Sequence, residues 1–385
     1  MRILTQALVL SRLGFAGLLQ RKWSSLVLVG SVACVIGVLL SMLSVTAGLL
    51  RAYQSGVDPG LALVSPDTNS AYSNGIPSNA IGTILDAPGI AKASDGHPLG
   101  DAEFQFWVPP TQAYILGSPT LLAIGSMGLA LRPNLHIVEG RQFLPGRQEL
   151  IVGVAAARAY QLHVGDPITL PGGTWPIVGA FADDGSIVES QFLGDANTVA
   201  TATHISGFSS VLVRLEKPNA FDAFADWLQT NPALNVTAQR QSDYSLRTVN
   251  RTSAFFTELT YFVGSLMAVG ALFGIVKLMY AAVSVRIREI ATLRAIGYQP
   301  FPLGASVLLE TALLSFIGAL LGGGAAWLLF NGKHVAQLHD VFDLSVSGRL
   351  FLLGVAWALV LAIVGGFSPA MRAARLSVAD ALRAL

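Results

Sequence analysis

Apolar residues in this chain are gathered into long runs. Residues 23–50 read WSSLVLVGSVACVIGVLLSMLSVTAGLL, with no charge at all. A second run ends at Val285 and is broken only by Lys277, and a third, 301–330, is broken only by Glu310. The fourth, 350–371, LFLLGVAWALVLAIVGGFSPAM, again has no charge. A helix needs roughly 20 mostly apolar residues to cross a bilayer. The pattern therefore predicts transmembrane helices at 23–50, 258–285, 301–330 and 350–371. The first run is too long for the apolar core of a signal peptide and no small-x-small site follows it, so it is expected to stay in the protein.

Between the first two runs the pattern changes. Over 51–257 prolines, glycines and acids return, and short alternating runs predict strands at QELIVG (148–153), DPITL (166–170) and TWPIVGAF (174–181), parted by the turn-like LHVGD and PGG. SSVLVRL (209–215), NAFDAFADWLQTNP and ALNVTAQR read as strand, helix and strand, with Phe221, Phe224, Ala225 and Leu228 on one helical face. An earlier unit is expected around 62–66, 79–89 and 103–109. The fold class that follows is an α-helical membrane protein with four transmembrane helices plus an inserted extracytoplasmic α+β domain. Because the domain interrupts the chain between helices one and two, its motion is expected to pass through those two helices. A short loop, 331–349, separates helices three and four. Residues 1–22 place Ile3, Ala7, Leu8, Phe15, Leu18 and Leu19 near one face, which reads as an amphipathic helix along the inner leaflet rather than a frayed tail.

Composition agrees. The chain is 52% hydrophobic and only 12% charged, about half the charge of an ordinary soluble domain. A net charge of +1 gives no reason to expect nucleic acid. The one cysteine, Cys34, sits inside an apolar run, which excludes an intrachain disulfide. Lysine and arginine near the membrane ends set the orientation. Arg2, Arg12, Arg21 and Lys22 precede the first helix, Arg286, Arg288 and Arg294 follow the second, and Arg372, Arg375 and Arg383 follow the fourth. These regions read as cytoplasmic, which puts both termini inside and 51–257 outside.

Candidate chemistry is sparse. GxxxxGK[ST], HExxH, CxxC and GxSxG are all absent, so no nucleotide, metal or nucleophile motif is present. The six histidines are scattered, and His334 and His339 read as loop residues. Asp183, Asp184, Glu189 and Asp195 form an acidic stretch that reads as a solvated loop, since ADDGS has strong turn chemistry. Phe104, Phe106, Trp107, Trp175 and Trp227 read as core of the inserted domain. No cofactor or metal is expected on this chain. Lys277 and Glu310 lie about nine residues from the cytoplasmic ends of antiparallel helices, so at ~1.5 Å per residue both sit about 13 Å deep. They either face each other or a shared polar site, as intramembrane charges tend to, or Lys277 snorkels to the interface and Glu310 is protonated or bonded to a neighbouring hydroxyl. Gly270-x-x-x-Gly274 and Gly318-x-x-x-Gly322 allow close helix contact, within the chain or across a dimer.

The segment 286–300, RIREIATLRAIGYQP, is of helix length, with Ile287, Ile290, Ala291 and Arg294 on one face and Arg286, Glu289 and Leu293 beside it. Gly297 suits a helix stop and Pro300 the re-entry. A short charged helix on the cytoplasmic side of a chain with no nucleotide site suits docking onto a separate protein.

VRIREIATLRAIG, SVLLETALLSFIGALLGG and SPAMRAARLSVADALRAL resemble the FtsX-like, or MacB-type (type VII), permeases of ABC transporters, and so do IVEGRQFLPGRQELIVG, LHVGDPITL and WPIVGAF in the inserted domain. The resemblance covers nearly the whole chain. It implies a homodimeric permease that binds a cytoplasmic ABC ATPase, with ATP and Mg on that partner, in the bacterial inner membrane. Arg286, Arg288, Glu289 and Arg294 then correspond to the family's coupling helix, and Arg372, Arg375 and Arg383 to its second cytoplasmic contact. Glu310 matches a frequent glutamate, whereas Lys277 stands where the family usually has asparagine. The resemblance further implies a stand-alone permease whose ATPase is another polypeptide, a periplasmic adaptor, and in some members an outer-membrane channel. ATP-driven motion of the inserted domain would export or extract a substrate. Two rivals are a non-transporting regulator of a cell-wall hydrolase or peptide sensor, and a membrane-anchored enzyme or receptor.

Overall fold

The computed structural model describes residues 22–66, 75–108, 119–231, 234–285, 287, 292, 299–337 and 340–375. In chain order its elements are α1 (Lys22–Gln54), β1 (Leu61–Pro66), α2 (Ser78–Leu85), β2 (Gly100–Trp107), β3 (Thr120–Ile124), β4 (His136–Gly140) and β5 (Leu150–Gly153). There follow α3 (Val154–Tyr160), β6 (Pro167–Leu170), β7 (Gly173–Ala182), β8 (Gln191–Asp195), α4 (Ala196–Thr203), β9 (Ser210–Arg214), α5 (Phe221–Gln229) and β10 (Val236–Arg240). The last are α6 (Gln241–Val285), α7 (Pro300–Phe330), β11 (His334–Gln337), β12 (Asp340–Asp343) and α8 (Gly348–Arg375). The expected interfacial helix at 1–22 lies, but for Lys22, outside the described residues.

The chain divides into two compact units. One comprises 1–47, 254–331 and 345–385, the other 48–253 and 332–344. Among the described residues, four helices are long and apolar enough to cross a membrane: Lys22–Gln54, Ser253–Val285, Pro300–Phe330 and Gly348–Arg375. They share one core, in which Val32 and Ile36 of α1, Ile275 and Met279 of α6, Leu314 of α7 and Leu361 of α8 are buried.

Lipid tails are as apolar as these side chains, so close backbone packing has to hold the helices together. Glycine provides it. A Cβ at Gly318 would stand 2.8 Å from the Val29 carbonyl oxygen, and one at Gly322 would run into the Ala33 carbonyl. The Gly318–Gly322 motif therefore seats α7 on α1 of the same chain. Gly270 and Gly274 have no such neighbour within 4 Å. Gly366 of α8 meets Thr311 of α7, and Gly365 meets Ile275 of α6.

The second unit is built on a ten-stranded sheet in the order β10-β1-β9-β2-β3-β8-β5-β7-β4, with β6 paired to β7. β1 runs antiparallel between β10 and β9, in registers that set Ala62 against Arg240 and Val213. β2 serves two neighbours in turn. Gly100–Glu103 pair with β9 (Gly100↔Val213, Glu103↔Ser210), and Phe104–Trp107 pair with β3 (Phe104↔Ala123, Trp107↔Thr120). It is thus the seam between two half-sheets, each with its own core. α2 and α5 cover one half through Ile84, Phe224 and Leu228. α3 and α4 cover the other through Ala156, Tyr160 and Val199, around Phe104, Trp175 and Phe192. In β7 the burial of Trp175 and Ile177 alternates with exposed Thr174 and Pro176, the period-two signature of a half-buried strand.

Two expectations change here. The segment expected as a plain loop at 331–349 holds a two-stranded hairpin, β11 with β12. Residues 332–344 belong to the inserted unit, where Val341 lies in the same core as Phe104 and Trp175. The inserted unit thus also takes in chain between α7 and α8, and motion through helices one and two is not its only covalent route. The stretch expected as a solvated acidic loop is also buried at Asp183, Glu189 and Asp195, because hydrogen-bond donors inside the domain meet those carboxylates.

Replacing Gly322 by valine pushes a side chain into the α1 backbone. Overpacking of this kind costs about 1–3 kcal/mol or more. The thermal midpoint of the detergent-solubilised protein should fall clearly, whereas Gly324→Ala, which meets nothing within 4 Å, should leave it nearly unchanged.

Candidate functional site

Three groups of residues bear on function: the ends of the membrane helices, the root of the inserted unit, and a buried polar node within it. Arg286, Arg288, Glu289, Arg294 and Arg383 lie outside the described residues. Arg372 and Arg375 occupy the last turn of α8, where basic groups complement the helix's carbonyl end. The Arg372 guanidinium sits 5.3 Å from the centre of the Tyr280 ring, and the Tyr280 hydroxyl is 2.7 Å from Ser368 Oγ. The ends of α6 and α8 are therefore tied through Tyr280, a residue that sequence reasoning did not single out. Lys277 stands exposed on α6, while Glu310 is buried on α7 beside Thr311.

At the root of the inserted unit the chain segments that enter and leave it are joined by polar contacts. The Tyr53 hydroxyl at the end of α1 donates to Asp340 of the hairpin at 3.0 Å. Gly48 packs so closely on the hairpin that a Cβ there would run into the Asp343 carbonyl. The Asp58 N–H donates to Gln241 Oε1 at the start of α6, 3.1 Å away, and its carboxylate accepts from Arg214 at 2.9 Å. Within the hairpin, His334 Nδ1 contacts the Asp343 carboxylate.

The buried node lies beside the seam. Glu103, on β2, takes both arms of the Arg132 guanidinium, at 2.7 and 2.9 Å. Asp101, two residues earlier, accepts from the Gly125 and Met127 amides at 2.7 and 3.2 Å. Only glycine fits this turn, since a Cβ at Gly128 would stand 2.7 Å from Asp101 Oδ2. Asp183 accepts from the Ser186 hydroxyl, and Glu189 accepts from the Asp183 and Gly185 amides at 2.7 and 2.9 Å. Gly56, just beyond α1, packs on Ser186 and Asp183.

Burial pushes the Asp101 carboxyl up to about 7, with the Glu103 charge adding to it against the two amides and Arg132. Burial also raises Asp183, opposed by the Ser186 bond and Arg132 and reinforced by Glu189 and Asp184. Burial works against the charge of Arg132, but Glu103, Asp101 and Asp183 outweigh it and hold that guanidinium above its ordinary pKa. Asp101, Glu103 and Arg132 escaped the sequence reading. Their one signal is that positions 101 and 103 share a face of a strand and the glycine-flanked GSMG follows at 125–128. Among the described residues no group of three or more His, Cys, Asp or Glu is placed to hold a metal ion. The carboxylates of this node hold backbone amides and the Arg132 guanidinium in place.

Comparison with known proteins matches two family models: the MacB-like periplasmic core domain over residues 25–231, and the FtsX-like permease C-terminal over 261–378. The macrolide export ATP-binding/permease protein MacB 2 of Aeromonas hydrophila is 26% identical over 192 residues, 46% of this chain and 29% of that protein. The uncharacterized ABC transporter permease YknZ of Bacillus subtilis is 23% identical over 226 residues, 57% of this chain and 55% of that protein. This chain thus spans well under two thirds of either relative. The crystal structure of the periplasmic region of MacB from Actinobacillus actinomycetemcomitans aligns at 13% identity and a TM-score of 0.38, over 51% of this chain and 95% of that one. With the first model spanning more than half of its length and the second its C-terminal membrane helices, the chain belongs to the FtsX-like, MacB-type permeases of ABC transporters.

Proposed function

We propose that this permease passes the work of a cytoplasmic ABC ATPase, carried on a separate chain that binds ATP and Mg, to its inserted domain, and that the domain's motion drives export or extraction of a substrate through a periplasmic adaptor. One observation supports this reading above the others. The inserted unit is made of two stretches of chain, 48–253 and 332–344, and so takes in the end of α1, the start of α6 and the hairpin between α7 and α8. A displacement at the far ends of those helices therefore has a covalent path into the domain on each of them. The motif-level resemblance of 286–300 to a coupling helix supplies the docking point, with Arg286, Arg288, Glu289 and Arg294 as its charged contacts and Arg372, Arg375 and Arg383 as the second cytoplasmic contact.

The lysine and arginine distribution supports an inner-membrane protein with both termini in the cytoplasm. A second copy of the permease fits the unoccupied face at Gly270 and Gly274, as small residues allow close helix approach. In this reading the chain itself is a non-catalytic subunit. An outer-membrane channel extends the assembly in a tripartite exporter.

The test is affinity capture of the solubilised protein from its host, with partners identified by mass spectrometry, beside the double variant Arg288→Glu, Glu289→Arg. An ABC ATPase should accompany the parent and be lost, by about tenfold or more, from the variant. Absence of any ATPase from folded parent would overturn the reading. A co-eluting adaptor supports export, whereas a co-eluting cell-wall hydrolase would replace export by regulation.

Val341→Ala tests the hairpin. It removes a core-seated side chain at about 1–3 kcal/mol. The ATPase should still bind, but the ATP-dependent change in protease sensitivity of the inserted domain should shrink. An unchanged response would remove the hairpin from the path.

A further inference from the structure

The C-terminal ends of α6 and α8 bring together more hydrogen-bond donors than acceptors. Gly365 of α8 packs on α6 so closely that a Cβ there would stand 2.9 Å from the Ile275 side chain. Beyond that contact the Tyr280 hydroxyl and Ser368 Oγ lie 2.7 Å apart. Two hydroxyls carry two protons, and the bond between them uses one. The other O–H is left to donate elsewhere. The Arg372 guanidinium stands 5.3 Å from the centre of the Tyr280 ring. The ring attracts the cation through its face and leaves the fork of N–H donors open to an anion.

Lys277 lies one turn before Tyr280, so the two are neighbours on the surface of α6. It is exposed, and among the described residues it makes no hydrogen bond or ion pair. It precedes Val285, the last residue of α6, by about 12 Å along the axis. An ammonium group at that depth on a lipid-facing helix reaches for the headgroups along its flexible stem. Among the described residues of the membrane unit the carboxylates are Glu258 and Glu310. Glu258 lies about five turns from Lys277 on α6, and Glu310 is buried. A second copy seated at Gly270 and Gly274 brings no acceptor either. Lys277 follows Gly270 by two turns on the same face, and a two-fold contact there turns it toward its own counterpart. What the lipid leaflet offers these donors is phosphate.

We propose that Lys277, Tyr280, Ser368 and Arg372 form a binding site for the headgroup of an anionic phospholipid, in the leaflet that meets the C-terminal ends of α6 and α8. Arg372, steadied on the Tyr280 ring, offers its planar fork to two phosphate oxygens. The spare hydroxyl proton of the Tyr280–Ser368 pair donates to another. Lys277 adds a point charge from the hydrocarbon side. A zwitterionic headgroup carries its own ammonium group beside the phosphate and competes with these cations, whereas the glycerol of phosphatidylglycerol does not. The bound headgroup spans both helices and adds a second tie to the one through Tyr280 and Ser368. The site requires α6 and α8 to cross a membrane and is independent of the proposed ATPase.

The test is native mass spectrometry of the full-length protein in detergent, titrated with phosphatidylglycerol or with phosphatidylethanolamine of the same acyl chains. Each cation near a membrane surface favours anionic lipid by about fivefold, so the parent should retain phosphatidylglycerol in preference by about tenfold or more. Lys277→Gln should lower that preference by about fivefold, and Lys277→Gln with Arg372→Gln should bring it close to parity. Tyr280→Phe, which keeps the ring under Arg372 and removes the hydroxyl, should lower it by about threefold. Lys277→Arg should retain it, and Arg349→Gln, in the first turn of α8, should leave it unchanged. Lys277 stands on an exposed face, so Lys277→Gln alone decides the matter if the double variant does not fold. Equal retention of the two lipids by the parent, or a preference that survives loss of Lys277 and Arg372 undiminished, would overturn the proposal. So would displacement of phosphatidylglycerol by millimolar inorganic phosphate, which would assign the cluster to a soluble anion.

Discussion

The antiparallel ladder between β1 and β10 is the constraint on which the rest of the inserted domain depends. β1 begins within a few residues of the end of α1, and β10 runs directly into α6. Pairing them along Ala62–Pro66 and Val236–Arg240 places the chain's entry and exit side by side. Everything between must then leave from one strand and return to its neighbour. The contacts of Asp58 with Gln241 and Arg214 close the same junction with polar bonds. The hairpin between α7 and α8 adds the third connection, through Tyr53–Asp340 and the burial of Val341.

In the membrane unit the corresponding constraint is steric. Apolar side chains gain little by leaving lipid for one another, so the helices are held by backbone approach at small residues. Gly318 and Gly322 provide that on α7 toward α1, and Gly365 and Gly366 on α8 toward α6 and α7. Tyr280, Ser368 and Arg372 join the ends of α6 and α8, and Glu310, Thr311 and Ser315 are buried along α7. The inserted unit buries several carboxylates and satisfies them with amides, hydroxyls and the guanidinium groups of Arg132 and Arg141.

Much of the fold was legible. Long apolar runs can only be membrane helices, and TWPIVGAF and SSVLVRL have strand alternation, so β7 and β9 were expected where they lie. The strand-helix-strand reading of 209–240 matches β9, α5 and β10, with Phe224 and Leu228 on the buried face. β3 and β8 were missed because they are short and buried on both faces, which erases the alternation. The hairpin at 334–343 was missed because its four-residue strands are short, half of their residues are polar, and they gain their place from a core made elsewhere. The acids at 183–195 were misread because turn chemistry such as ADDGS looks the same in solvent and in a buried turn.

The sequence by itself determined the class of the protein, the number and place of its membrane helices, the insertion of a mixed domain between the first two, and the motifs of its family. These are local properties: hydropathy, periodicity and short motifs depend on neighbours along the chain. The tertiary structure alone decided that β2 is shared by two half-sheets and that Asp101 and Glu103 reach the turn at 125–132. It also decided that the hairpin between α7 and α8 belongs to the inserted domain, and that one glycine pair packs against α1 while the other stays open. Each of these depends on which distant segments meet, and burial and charge balance are set only once they have met.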